Sequence, residues 1–215
     1  CIDSLLDAVA AQTHPVEQLV LVANSERFDD VDLEQITASR DDDLPEVTVL
    51  RRPPDTSLGA CLNDGIDRVA SRFVAKFDDD DHYGPNHLAD SMRAHSYAGA
   101  GVVGKHTYYA RLVQEDRTVL RFPTHEFTYT PTLAGGTLVI DRGRTGDVRF
   151  HDINLGEDRA FIQACLRRGV PTFSCDRFSF LQIRSGDNTW QVAPEVYLTH
   201  SISIEPSSPS HVIDR

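Results

Sequence analysis

The 215-residue chain has only four cysteines, Cys1, Cys61, Cys165 and Cys175, and no CxxC pair. That removes the usual zinc and dithiol spacings, and a chain of this length buries roughly 70 % of its unfolded surface without covalent staples. The cysteines read as free thiols of a reducing compartment. Long apolar runs are also lacking. Leu19–Ala23 is among the longest, far short of the ~18 residues that span a bilayer. The opening stretch carries Asp3 and Asp7 and does not resemble a secretory leader. The expected location is therefore the cytoplasm, either free or peripheral to the inner face of the membrane. Positive charge is scarce as well: 21 Lys and Arg stand against 33 Asp and Glu, a formal net charge of −12. Neutralising the phosphates of a nucleic acid needs a basic face, so nucleic acid is excluded as a general partner. A nucleotide held through a metal remains compatible with this charge.

What is present is an alternation of helix and strand signals. Apolar residues at 2, 5, 6, 9 and 10 predict a helix that Pro15 closes, and Gln18–Ala23 reads as a buried strand. A short helix over Leu33–Ser39 follows, then a strand at Val47–Leu50 and a helix over Leu58–Ala70. Phe73–Phe77 is a third strand, and a helix over Pro85–Tyr97 starts on a proline at its favoured first-turn position. After a strand at Gly101–Gly104, the stretch Thr107–Ile140 alternates as antiparallel strands do. A helix over Glu157–Arg168 ends at Gly169, and Thr172–Ile183 is β-rich. Strand–helix alternation in the first half implies parallel βαβ units, and the second half is mixed. The expected class is a single α/β domain over residues 1–205 with a loose tail over 206–215.

The strongest chemical signal is Asp78-Asp79-Asp80-Asp81, directly after an apolar strand. Open α/β sheets place ligands at that end of a strand. Adjacent carboxylates repel one another, and a hard divalent cation such as Mg²⁺ or Mn²⁺ relieves the repulsion through oxygen ligands. An EF-hand register over Asp79, Asp81, Gly84 and Asp90 fails because Tyr83 occupies its fifth position. Gly99–Lys105 matches GxxxxGK, but His106 stands where Ser or Thr is needed. Gly156-Glu157-Asp158 opens a helix, and a carboxylate there is either a dipole-stabilising first-turn acid or a general base facing a cleft. His82, His87 and His95 lack the i, i+4 spacing of a zinc pair, and His200 is an isolated candidate metal ligand.

Five segments in order resemble an inverting family 2 glycosyltransferase of the GT-A fold. They are Cys1–Leu6 through Ala11-Gln12-Thr13-His14-Pro15, the strand Leu19–Ala23, Ser57–Ile66 with Gly59, Asn63 and Gly65, Phe77–Pro85, and Gly156-Glu157-Asp158. The resemblance covers roughly residues 1–185. It implies a three-layer fold with a mixed, mainly parallel sheet, in which residues 1–105 bind nucleotide and metal and residues 106–205 bind the acceptor. It departs from the family at two points. The usual first strand, with its nucleotide-binding end, is not in the sequence, which points to a piece of a longer protein or a substitute element. Ala23-Asn24-Ser25-Glu26 also replaces an Asp-Asp-Gly-Ser-like segment.

By this resemblance Asp80 is the direct ligand of Mn²⁺ or Mg²⁺, Asp78 and Asp79 touch the ribose or complete the shell, and Asp158, beside Glu157, is the base. Asn24 offers a donor and an acceptor to a pyrimidine base. Arg51 or Arg52 offers a contact to phosphate, and Trp190 within Asp187–Trp190 offers a stacking face to an acceptor sugar. The implied donor is a nucleotide-diphospho-sugar, UDP-linked by preference, and the implied acceptor is a sugar, polysaccharide or lipid-linked sugar. A sugar nucleotidyltransferase and a catalytically silent domain of the same fold are the alternatives.

Overall fold

The computed structural model describes residues 2–40, 44–185 and 194–204. Helix α1 (Ile2–Ala10) buries Leu6 and Val9, the face its apolar spacing defines. Strand β1 (Gln18–Ala23) is followed by helix α2 (Leu33–Ala38), which Asp32 caps by accepting from the Gln35 N–H. Strand β2 (Glu46–Arg51) pairs parallel with β1, from Gln18 opposite Glu46 to Ala23 opposite Arg51. Helix α3 (Leu58–Arg68) is capped by Ser57, whose hydroxyl accepts from the Ala60 N–H. Strand β3 (Phe73–Ala75) leads to the four aspartates, and these run into β4 (His82–Tyr83), a two-residue strand with no sequence signal of its own.

Helix α4 (His87–Ala98) starts two residues after Pro85 instead of on it. The reason lies in the chain after α1. Thr13 N–H donates to Pro85 O at 2.8 Å, Gln12 Nε2 donates to Gly84 O at 2.9 Å, and Gln12 Oε1 accepts from the Leu88 N–H at 3.0 Å. These bonds hold Pro85 and Asn86 as a turn and satisfy a first-turn amide of α4 that would otherwise lack a partner. The Gln12-Thr13 segment is thereby a clamp on the exit from the aspartate run.

The rest comprises β5 (Val102–Gly104), β6 (Tyr108–Leu112), β7 (Arg117–Arg121), β8 (Thr128–Tyr129), β9 (Val139–Asp141), α5 (Arg142–Thr145), α6 (Glu157–Arg167), β10 (Thr172–Ser174), β11 (Phe180–Arg184), α7 (Pro194–Leu198) and β12 (Ser201–Ile204). Among the described residues the strands form three sheets, ordered β1-β2, β3-β9-β5-β10-β8 and β12-β7-β6-β11-β4. The pairs β1–β2, β5–β10 and β6–β11 are parallel, and the other pairings are antiparallel. The mixed α/β class expected from the sequence holds. Helix α6 packs Phe161, Ile162 and Cys165 onto Ile66, Val102, Leu138, Ile140 and Phe150, which anchors its first turn to the central sheet.

Strands β1 and β3 belong to different sheets. Between them lies a cavity of about 610 Å³, lined by both strands along their length and by residues of α1 and α3. Its lining also includes Asn24, Arg27, Lys76, Asp78 and Asp79. No helix among the described residues is long and apolar enough to cross a membrane. The tail over 206–215 and the segment Asp187–Trp190 lie outside the described residues.

Candidate active site

The four aspartates form a turn between β3 and β4, and each is held differently. Lys76 N–H donates to Leu138 O at 2.9 Å, so strand pairing extends one residue beyond β3 before the acidic run begins. The Asp78 amide donates to Tyr83 Oη at 2.7 Å, and Tyr83 Oη donates in turn to Gly136 O at 2.8 Å. Asp79 pairs with Arg27 at 2.6 Å on the surface. Asp80 is exposed. Asp81 Oδ1 accepts from the Ile183 N–H of β11 at 2.9 Å. Burial, and then the neighbouring Asp78 charge, push the Asp81 carboxyl well above the usual carboxylate range.

The second acidic pair enters from the other half of the chain. Gly156 caps α6 with φ +81°, and Glu157 and Asp158 form the first turn, where the helix dipole favours negative charge. The loop before it is docked on the start of α3. Leu58 N–H donates to Asn154 Oδ1 at 2.9 Å, Gly59 N–H donates to Ile153 O at 3.1 Å, and Ser57 Oγ donates to Asp152 Oδ1. Asn63 grips Phe150 by accepting from its N–H at 3.0 Å and donating to its carbonyl at 2.9 Å. Gly59 is required here, because a Cβ would stand 1.7 Å from His151 O. Gly59 and Asn63, noted in the sequence by resemblance, thus position the loop that delivers Asp158.

One side chain joins the two acidic segments. Lys76 Nζ lies 2.9 Å from Asp78 Oδ1 and 3.3 Å from Asp158 Oδ2, with only 6 % of its side chain exposed. Burial alone would lower the ammonium pKa, but Asp78 and Asp158 outweigh it, and the value stands above that of an ordinary lysine. Asp158 Oδ1 is buried without a hydrogen-bond partner among the described residues. Burial raises the Asp158 pKa even against the Lys76 charge. Glu157 is 5 % exposed, and burial followed by the Asp158 charge pushes it up to about 7. Gly135 and Gly136 close the floor: a Cβ on Gly135 would lie 1.7 Å from Asp158 Oδ2, and one on Gly136 would lie 2.7 Å from Asp78 Oδ2.

The other sequence candidates divide. Asn24 follows β1 and lines the cavity beside Asp78, with its Nδ2 donating to Thr56 O at 3.2 Å. Arg52 stands at the matching end of β2, where its guanidinium is bound by Asp64. Arg51 donates to Phe28 O, Val31 O and Glu34, and so braces the segment between β1 and α2. His200 is exposed and stacks on Phe122, with ring centroids 6.0 Å apart. His87 and His95 are buried core residues and His82 is exposed.

Among the described residues no three His, Cys, Asp or Glu side chains converge where a metal ion would sit, so His200 does not join the aspartates. The donor set still fits a hard cation in one form. Mg²⁺ and Mn²⁺ are commonly held by one or two carboxylates, with phosphate and water oxygens completing the shell. Asp78 and Asp80 supply that number.

A family model described as Glycosyl transferase family 2 matches residues 1–151. The chain belongs to glycosyl transferase family 2. Among solved structures, S. aureus TarS 1–349 in complex with UDP-GlcNAc superposes with a TM-score of 0.66 at 16 % identity, over 92 % of this chain and 60 % of that one. The mannosyltransferase PcManGT from Pyrobaculum calidifontis, in complex with GDP-Man and Mn²⁺, superposes with a TM-score of 0.63 at 13 % identity, over 87 % of this chain and 53 % of that one. At these identities the likeness is one of fold, the GT-A fold, and the family 2 chain spans three fifths or less of each of these two structures. No curated protein sequence matches it.

Glu157 and Asp158 lie beyond the matched residues, so the Lys76 bridge and the loop docked on α3 are what tie them to the aspartates of this family 2 chain. Sequence reasoning missed Lys76, Arg27, Tyr83 and the Gly135-Gly136 pair. Two signals were available. A lysine inside the apolar run Phe73–Phe77 needs a buried counter-charge, and a Gly-Gly dipeptide marks close backbone approach.

Proposed function

We propose that this family 2 chain transfers a sugar from a nucleotide-diphosphate donor to a hydroxyl of a sugar, polysaccharide or lipid-linked acceptor, with inversion at the anomeric carbon. The observation that carries the reading is the Lys76 bridge, which holds a carboxylate from each half of the chain, Asp78 and Asp158, on one ammonium. On this reading the donor lies over residues 1–105 and the acceptor over residues 106–205, with reaction at the seam.

Asn24, at the end of β1, hydrogen-bonds the base edge. Asp79 contacts the ribose. Asp80 and Asp78 hold Mn²⁺ or Mg²⁺, which when bound neutralises charge on the departing diphosphate. Arg52 stays with Asp64 and contributes by bracing the wall that carries Asn24. Asp158 takes the proton of the acceptor hydroxyl. The acceptor oxygen bonds to the anomeric carbon as the bond to the diphosphate breaks on the opposite face. Glu157, buried beside it, keeps a second carboxyl next to the base. The nucleotide-sugar complexes of the two superposed structures support a donor of this class, and a UDP-sugar is the first to test.

Calorimetric titration of UDP, GDP and TDP, each with Mn²⁺, Mg²⁺ or EDTA, tests the donor side. One diphosphate should bind in a cation-dependent way, and Asp80→Ala should abolish that binding. Asp158→Asn should bind as the wild type does and lose turnover, and the released product should be nucleoside diphosphate. Release of pyrophosphate, or full activity in Asp158→Asn, overturns the assignment.

A further inference from the structure

We propose that Lys76 is a positioning residue: its ammonium fixes the Asp158 carboxylate in the orientation that meets the acceptor and ties it to Asp78 on the donor side. This rests on the transferase reading above. The stem of Lys76 is fixed, because its amide extends the β3–β9 pairing through Leu138 O. Its Nζ has two carboxylate partners, Asp78 at 2.9 Å and Asp158 at 3.3 Å. The same Asp158 oxygen is confined from a second direction, where a Cβ on Gly135 would fall 1.7 Å from it. Asp158 Oδ2 is thus held between an ammonium and a glycine backbone, while Glu157 lies against the same carboxyl group.

Stability alone is a poor reason for this lysine. A buried ion pair is often matched or exceeded by apolar side chains of similar volume, because desolvating the charges offsets their attraction. The flanking residues Phe73, Val74, Ala75 and Phe77 are apolar, so an apolar residue at position 76 would continue the run. What only a cation supplies is a fixed distance between two carboxylates that otherwise repel. Lys76 also acts electrostatically on Asp81 and Glu157, so a single charge organises both acidic segments.

Lys76→Met removes the charge and keeps an unbranched stem one atom shorter. Its kcat should fall about 100-fold, the scale of a 1 Å misplacement of a reacting group. Because Asp78 is a metal ligand on this reading, donor affinity is expected to shift in Lys76→Met. Its kcat is therefore read at saturating UDP-sugar and Mn²⁺, and rescue by Lys76→Arg is the readout that a merely structural role would not move. Urea midpoints give a readout that does not depend on transfer. Lys76→Met leaves Asp158 buried without its cation, so the double variant Lys76→Met/Asp158→Asn should have a higher midpoint than Lys76→Met alone. Lys76→Arg, which keeps the charge, should retain kcat within about tenfold of wild type.

Unchanged kcat in Lys76→Met overturns the proposal, and so do strictly additive midpoints. Failure of both Lys76→Met and Lys76→Arg to fold makes the lysine a folding requirement and also overturns it. A wild-type chain that transfers no sugar to any acceptor removes the transferase reading and the catalytic part of the proposal, while the midpoint cycle still decides the bridge.

Discussion

Two glycines on helix α3 offer a matched pair of perturbations with opposite signs. At Gly59 an added Cβ would meet His151 O at 1.7 Å and its carbonyl carbon at 2.8 Å, both backbone atoms that cannot rotate away. Reaching ordinary contact requires helix and loop to part by roughly 1.5 Å. That separation breaks the bonds Leu58 N–H to Asn154, Gly59 N–H to Ile153 and Ser57 to Asp152. At about 1 kcal/mol each they amount to about 3 kcal/mol, and the better helix propensity of alanine returns about 1 kcal/mol. Gly59→Ala should therefore lose about 2 kcal/mol, or roughly 1 M in urea midpoint. Gly65, two turns on, would place its Cβ 3.5 Å from Val22 Cγ2, an ordinary contact. Gly65→Ala should gain about 0.5–1 kcal/mol. Far-UV circular dichroism in urea measures both. Because the displaced loop leads into Asp158, Gly59→Ala should also lower kcat by about 100-fold while donor affinity holds. A Gly59→Ala chain as stable as Gly65→Ala would refute the docking of this loop as the source of the constraint.

Two pH predictions follow from groups with clear shifts. Glu157 is pushed up from an ordinary 4.5 to about 7, so the folded chain holds a proton there that the unfolded chain has released. Stability contributed by this group therefore falls as pH rises from about 4.5 to about 7, and Glu157→Gln should gain on wild type across that window by up to ~3 kcal/mol. Equal pH dependence of the two urea midpoints would contradict the shift. His87 is fully buried with both ring nitrogens lacking partners among the described residues, and burial, then the Lys105 charge, hold its pKa well below the usual histidine value. The unfolded chain takes up a proton below about pH 6.5 and the folded chain does not, so acid destabilises by about 1.4 kcal/mol per pH unit. His87→Leu should resist acid better than wild type, with its advantage growing by about 2 kcal/mol between pH 7.5 and 5. Parallel melting curves over that range would rule this out.

Local signals carried most of the first half. The helix spacing of Leu5, Leu6 and Val9, the apolar run within Gln18–Ala23 and the helix start at Leu58 all act within a few residues, and each element began where the sequence placed it, with α3 ending at Arg68, two residues short of Ala70. The start of α4 shifted because Gln12 and Thr13, more than seventy residues away, hold Pro85 in a turn. Strand β4 was invisible because two residues have no periodicity, and it exists through pairing with β11. The acidic motifs of the candidate site were legible as residue types. Their connection was not, since Lys76, two residues before Asp78, reaches Asp158 across 82 positions of sequence. Arg52 and His200 were legible as residue types, but their neighbours in the fold, Asp64 and Phe122, were not.

The bonds from Gln12 and Thr13 to Gly84, Pro85 and Leu88 make the exit of the aspartate turn answer to a segment more than seventy residues upstream. The turn is therefore written into the chain twice, once as the acidic run and once as the polar pair that follows the first helix. A change at Gln12 or Thr13 reaches the aspartates without touching any of them, through the start of α4.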